Sequence, residues 1–187
     1  MRVNSSERGA AVFPCKAVAG LLIGFLVFLL AACTAIQSMQ SSTSPVYRAY
    51  NTTSGNHFWT ASESERNSVL QNQQTYRDEG VAFRAYASQV GGSLPVYRFY
   101  NTGTGTHFFT ISEQEKNTLL QQASQWRFEG PAFYAYTRKV LGSVPVYRLY
   151  NTKKGTHFWT ASEGERSSLL QTQPDFKDEG IAFYTIQ

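Results

Sequence analysis

Cysteine is almost missing from this 187-residue chain, and the two copies present, Cys15 and Cys33, both sit at its front. No disulfide can staple the remainder, so whatever folds there must stand on buried apolar surface. Charge is sparse as well: 16% of residues are charged, and no run of Lys or Arg occurs. That excludes a nucleic-acid partner, which needs a basic stripe to follow a phosphate backbone. Also missing are a nucleophile elbow, a Cys/His pair, a phosphate-cradling glycine loop, a dinucleotide fingerprint and HExxH. These absences point away from an enzyme and from a resident cofactor or metal.

What is present at the front is an export signal. Arg2, Arg8 and Lys16 precede a nearly unbroken apolar run of 14 residues, Ala17 to Leu30. That length matches the core of a signal peptide and falls short of a comfortable membrane span. The run ends in Leu30-Ala31-Ala32-Cys33, which resembles the lipobox of bacterial lipoproteins. The resemblance implies a signal peptide over 1–32 and acylation of Cys33 as the first mature residue, with the lipid as the membrane partner. Thr34 stands where aspartate would imply retention in the inner membrane, so the resemblance implies the outer membrane. Removing 1–32 takes Arg2, Arg8, Lys16 and Glu7 from the 17 basic and 13 acidic residues, leaving 14 and 12, a net charge of +2. Residues 34–44 are small, polar and uncharged. With Cys33 they read as a flexible tether over 33–44, with a reach on the order of 17–20 Å.

From Pro45 onward one unit is used three times. Pro-Val-Tyr-Arg-x-Tyr-Asn begins at Pro45, Pro95 and Pro145, and 20 of the 43 positions from 45 to 87 are identical in all three copies. The copies span 45–94, 95–144 and 145–187. In each, an extended Pro45–Asn51 segment meets a turn ending at Gly55 and a short strand His57–Thr60, a β-hairpin. Ser62-x-x-Glu65 is a capping box, in which the serine caps the helix start and the glutamate reaches back to the serine amide. The helix runs to about Gln71, and Val81–Tyr86 forms a third strand after a Glu79-Gly80 turn. Alternation sets Tyr47 and Ala49 toward the core, opposite Val46, Arg48 and Tyr50, and groups Val81 with Phe83 and Ala85.

A 50-residue unit cannot bury enough surface alone. Three equally regular copies, with no atypical end unit, favour a ring over an open row. The expected fold is therefore β-rich α+β, with three β-β-α-β repeats closed around a pseudo-threefold axis, β-trefoil-like in symmetry.

The repeated polar and aromatic residues are the candidate site. Asn51, Asn101 and Asn151 suit turns that bond their own backbone. Arg48 can pair with Glu79 inside one copy, as can Arg98 and Arg148 with their equivalents. His57, His107 and His157 are the only histidines and share one offset. Each can be a structural histidine bonded to Glu79 or a carbonyl, can line a pocket repeated three times, or can converge on the axis as a three-histidine zinc site. Trp59, Phe109 and Trp159 share a strand face with the histidines, so a partly exposed ring beside His, Arg and Asn would suit a sugar.

The signature Tyr-Arg-x-Tyr-Asn…Gly-x-His-Phe…Thr…Glu…Glu-Gly-x-Ala-Phe resembles a repeat family of bacterial secreted and surface proteins. Its members are often tandem and sometimes joined to hydrolases or cell-wall enzymes. The resemblance implies an adhesive or substrate-targeting role and supplies no catalytic residue. The chain reads as a lipid-anchored envelope module binding glycan or peptidoglycan through Arg48, Asn51, His57, Trp59 and their equivalents. A structural or protein-interaction scaffold and a three-histidine metal-dependent enzyme are the alternatives.

Overall fold

The computed structural model describes residues 43–186. The signal segment, Cys33 and the tether up to residue 42 lie outside the described residues. In chain order the elements are β1 (Thr43–Asn51), β2 (His57–Thr60), α1 (Glu63–Asn72), β3 (Tyr76–Tyr86), β4 (Leu94–Asn101), β5 (Thr106–Thr110), α2 (Glu113–Leu120), β6 (Trp126–Ala135), β7 (Ser143–Asn151), β8 (Thr156–Thr160), α3 (Glu163–Thr172) and β9 (Phe176–Ile186). Strand β1 starts two residues inside the expected tether, because Thr43 and Ser44 pair with Tyr86 and Ala85.

Each hairpin turns on an Asx motif. Asn51 Oδ1 accepts the Thr53 and Ser54 amides at 3.0 Å, while the Gly55 amide donates to the Asn51 carbonyl at 2.8 Å. Gly55 holds φ at +66°, a left-handed conformation that a Cβ would strain. Ser62 then caps α1 by accepting the Glu65 amide at 3.2 Å. The other half of the capping box does not form. The Ser62 amide donates to Thr60 Oγ1 at 2.9 Å, which releases the Glu65 carboxylate for other partners.

The third strand is longer than expected, and the Glu79-Gly80 pair lies within it. Opposite β1 the register slips twice: Val46 faces Phe83, Tyr47 faces Val81 and Ala49 faces Asp78. These are β-bulges, and Gly80 supplies the positive φ of +77°. The bulges break strict alternation. Val46 and Ala49, three apart, are both buried, whereas Val81 is 51% exposed despite its spacing from Phe83.

All nine strands join one antiparallel sheet, ordered β5-β4-β6-β3-β9-β7-β8, with β1 bonded to β3 and β2 to β1. The long strands meet near their ends. β3 touches β6 at Tyr86–Tyr134 and β9 at Arg84–Ile186, and Tyr136 and Tyr184 exchange two backbone bonds of 2.8 Å. Below that junction Phe83, Phe133 and Phe183 each touch the other two, with ring centroids 5.6–5.9 Å apart. Trp159 packs edge-on against both Trp59 and Phe109 at 5.3 Å. Burial of each such ring contributes about 1.5–3 kcal/mol, so the core draws on all three copies. The helices bury no residue completely; Leu119, Leu169 and Leu170 rest partly covered on the core's flank.

Candidate functional site

At every junction between copies one arginine gathers two glutamates. Arg48 Nε donates to Glu79 of its own copy at 2.6 Å, while Nη1 and Nη2 fork onto Glu165 of the third copy at 2.9 and 3.0 Å. Arg98 forks onto Glu65 of the first copy at 2.8 and 3.0 Å, and Arg148 onto Glu115 of the second at 3.1 and 3.0 Å. Arg148 Nε also donates to Glu179 at 2.6 Å. Arg98 Nε lies 2.7 Å from Glu129, the matching ion pair of the second copy. The planar guanidinium suits this two-ended grip, which an ammonium does not reproduce.

The carboxylates that cross between copies are Glu65, Glu115 and Glu165, freed from their capping role. Thr60 and Thr110 donate to Glu65 and Glu115. Burial alone would raise these three carboxyls; the arginine and threonine bonds outweigh it and hold them below the usual carboxylate range. The arginines are raised in turn, because their glutamates outweigh the cost of burial.

The histidines sit at the edge of these clusters. Nε2 of His57, His107 and His157 lies 3.4, 3.2 and 3.4 Å from Glu79, Glu129 and Glu179. Such neighbours ordinarily raise an imidazole, yet His57 and His157 are lowered to about 4. Burial is the first cause, and the charge on Arg48 or Arg148 is the second. The nearby glutamate is already paired with that arginine and does little to hold a proton on the ring. His107 is lowered for the same reasons. All three imidazoles are therefore neutral near pH 7. Each ring also meets a phenylalanine of another copy: His57 with Phe158 at 4.9 Å, His107 with Phe58 at 5.5 Å and His157 with Phe108 at 4.8 Å. Among the described residues no group of three or more His, Cys, Asp or Glu side chains is arranged to hold a metal ion, so the imidazoles do not converge.

Two clefts open beside the histidines. One, about 310 Å³, lies between the third and first copies and is lined by Tyr50, His57, Asn151, His157, Phe158 and Gln173 among others. The second, about 560 Å³, lies between the first and second copies, where Asn51, His57, Phe58, Gln73, Tyr100 and His107 contribute. Most of these residues occupy matching offsets, so both clefts are built by the same rule.

The expected exposure of Trp59, Phe109 and Trp159 is wrong. They are 2%, 2% and 1% exposed. Trp59 does share a face with His57, at 5.6 Å, but β2 is covered on both sides, and that face points into the core. These rings are core residues and cannot receive a sugar. Arg48, Arg98 and Arg148 are committed to ion pairs between copies. Asn101 and Asn151 are 3% and 6% exposed and hold their turns. Sequence reasoning missed Tyr50 and Tyr100, which line the clefts and lie 5.0 and 5.2 Å from His57 and His107. Their invariance was the available signal, hidden because alternation set them on a plain strand face.

The family model for a domain of unknown function, DUF5648, matches residues 45–186. The chain belongs to that family. Neither a curated protein nor a solved structure matches the chain. The DUF5648 region takes in all three copies, and with them every arginine cluster and both clefts. Among the described residues no helix is long and apolar enough to cross a membrane.

Proposed function

We propose that this chain is an envelope lipoprotein, held to the outer membrane by lipid on Cys33, whose three copies close around a pseudo-threefold axis and bind glycan in the clefts between them. Closure is supported by the cyclic order of the arginine forks, first copy to third, second to first and third to second. The mutual packing of Phe83, Phe133 and Phe183 supports it independently.

The observation that carries the binding reading is the pair of clefts built from matching residues of neighbouring copies. The faces of Tyr50 and Tyr100 beside neutral imidazole and the exposed amides of Gln173 and Gln73 suit a polyhydroxylated ring, which needs apolar stacking and uncharged hydrogen-bond partners. Weak sites repeated on one anchored body gain through avidity against a polymer. The test is retention of purified cell-wall polysaccharide by the wild-type protein and by a Tyr50→Ala/Tyr100→Ala variant. Loss of retention with an unchanged fold supports the reading, and undiminished retention removes it. Loss of incorporated palmitate on Cys33→Ala tests the anchor.

A further inference from the structure

Two neighbouring offsets of the repeat set the third copy apart. Where the first copy has Thr53-Ser54 and the second Gly103-Thr104, the third has Lys153-Lys154. Both lysines line the cleft between the third and first copies, together with His57, His157 and Asn151. Lys154 Nζ crosses the junction to the Ser54 and Gly55 carbonyls at 3.0 and 2.7 Å. Carbonyls orient that ammonium without neutralising it. Among the described residues neither lysine forms an ion pair with a carboxylate. Asp175 is the single carboxylate in the lining.

The other cleft has Thr53 and Ser54 at the offsets of the two lysines. Its charged lining consists of Arg127, Glu65 and Glu129; Arg127 is bonded to Glu129 at 3.0 Å, and both glutamates are paired with Arg98, so no cation there is spare.

We infer that the cleft between the third and first copies is specific for an acidic glycan, with the carboxylate or phosphate of one sugar unit set between Lys153 and Lys154. This rests on the glycan reading above and names the ligand class of one cleft. The neighbouring cleft, lacking a spare cation, takes an uncharged unit. One polymer of mixed charge would then engage both clefts in register.

The experiment compares three oligosaccharides on the full-length protein by calorimetry: tetragalacturonate, its fully methyl-esterified form and a phosphorylated tetramannose. Two added cations in a partly desolvated cleft give a preference of about tenfold for an acidic probe over the ester, shrinking as salt rises. Lys153→Gln is the clean variant, since no bond of Lys153 to another side chain holds the fold. It should abolish most of that preference while leaving thermal stability unchanged. The stronger of the two acidic probes separates carboxylate from phosphate. Equal, salt-independent binding of ester and acid overturns the acidic assignment and leaves the glycan reading standing. Failure of all three probes to bind overturns both. An acid preference that survives both Lys153→Gln and Lys154→Gln also overturns the assignment.

Discussion

Replacing one ring of the phenylalanine triad tests whether the copies share a core. Phe133 is 3% exposed, and its ring lies 5.7 Å from Phe83 and 5.6 Å from Phe183. Phe133→Ala removes a buried ring from a junction walled by two other copies, so little local collapse is available. The expected cost is about 3–5 kcal/mol. For a domain of this size that lowers Tm by roughly 6–20 °C. The sharper test is a double-mutant cycle. Phe83 and Phe183 are 100 residues apart in sequence and 5.9 Å apart in space. If they touch, Phe83→Ala and Phe183→Ala should couple by about 0.5–1.5 kcal/mol, as much as Phe83 with Phe133. Urea titrations followed by tryptophan fluorescence supply the energies. Coupling between adjacent copies with none between the first and third would refute the shared core.

Arg98→Met removes a fork between copies and leaves Glu65, one-third exposed, without its cation. The full buried-pair penalty is discounted for that exposure to roughly 1–3 kcal/mol, and Arg98→Lys should recover little of it. Chemical denaturation measures both. Ser112→Ala deletes the cap of the eight-residue α2 and should cost about 1 kcal/mol, visible as faster amide exchange in that helix. Acid should destabilise the fold before the carboxylates titrate. The unfolded histidines bind protons near pH 6.5 whereas folded His57 and His157 do so only near 4, so the unfolded state holds more protons between those values. Unfolding free energy should therefore fall from about pH 6.5 down to pH 4, and further as the lowered glutamates protonate. A flat profile across that window contradicts the buried neutral imidazoles.

Much of each copy was legible because its signals are local. Asn51 and Gly55 announce a turn, Ser62 a cap, and Pro45–Asn51 a strand, and each folds as read. Arg48 with Glu79 was also readable, since both belong to one unit. What escaped reading depends on neighbours that the 50-residue period does not specify. Arg48 and Glu165 are 117 positions apart, and the capping box offered Glu165 a sufficient local purpose. Two bulges beside Gly80 undid the alternation used to assign faces, which sent Val46 inward and Val81 outward. Trp59 was assigned to a site because its face holds His57, but neighbouring copies cover that face.

Deleting residues 145–187 puts the dependence of the copies on one another to the most direct test. Without the third copy, Glu165 no longer meets Arg48, Glu115 loses Arg148, and Phe83 and Phe133 are left open on one side. The shortened chain should show no cooperative thermal transition and little amide protection in β3 and β6. A monomeric two-copy chain that melts in a single sharp step near the parent midpoint would contradict it.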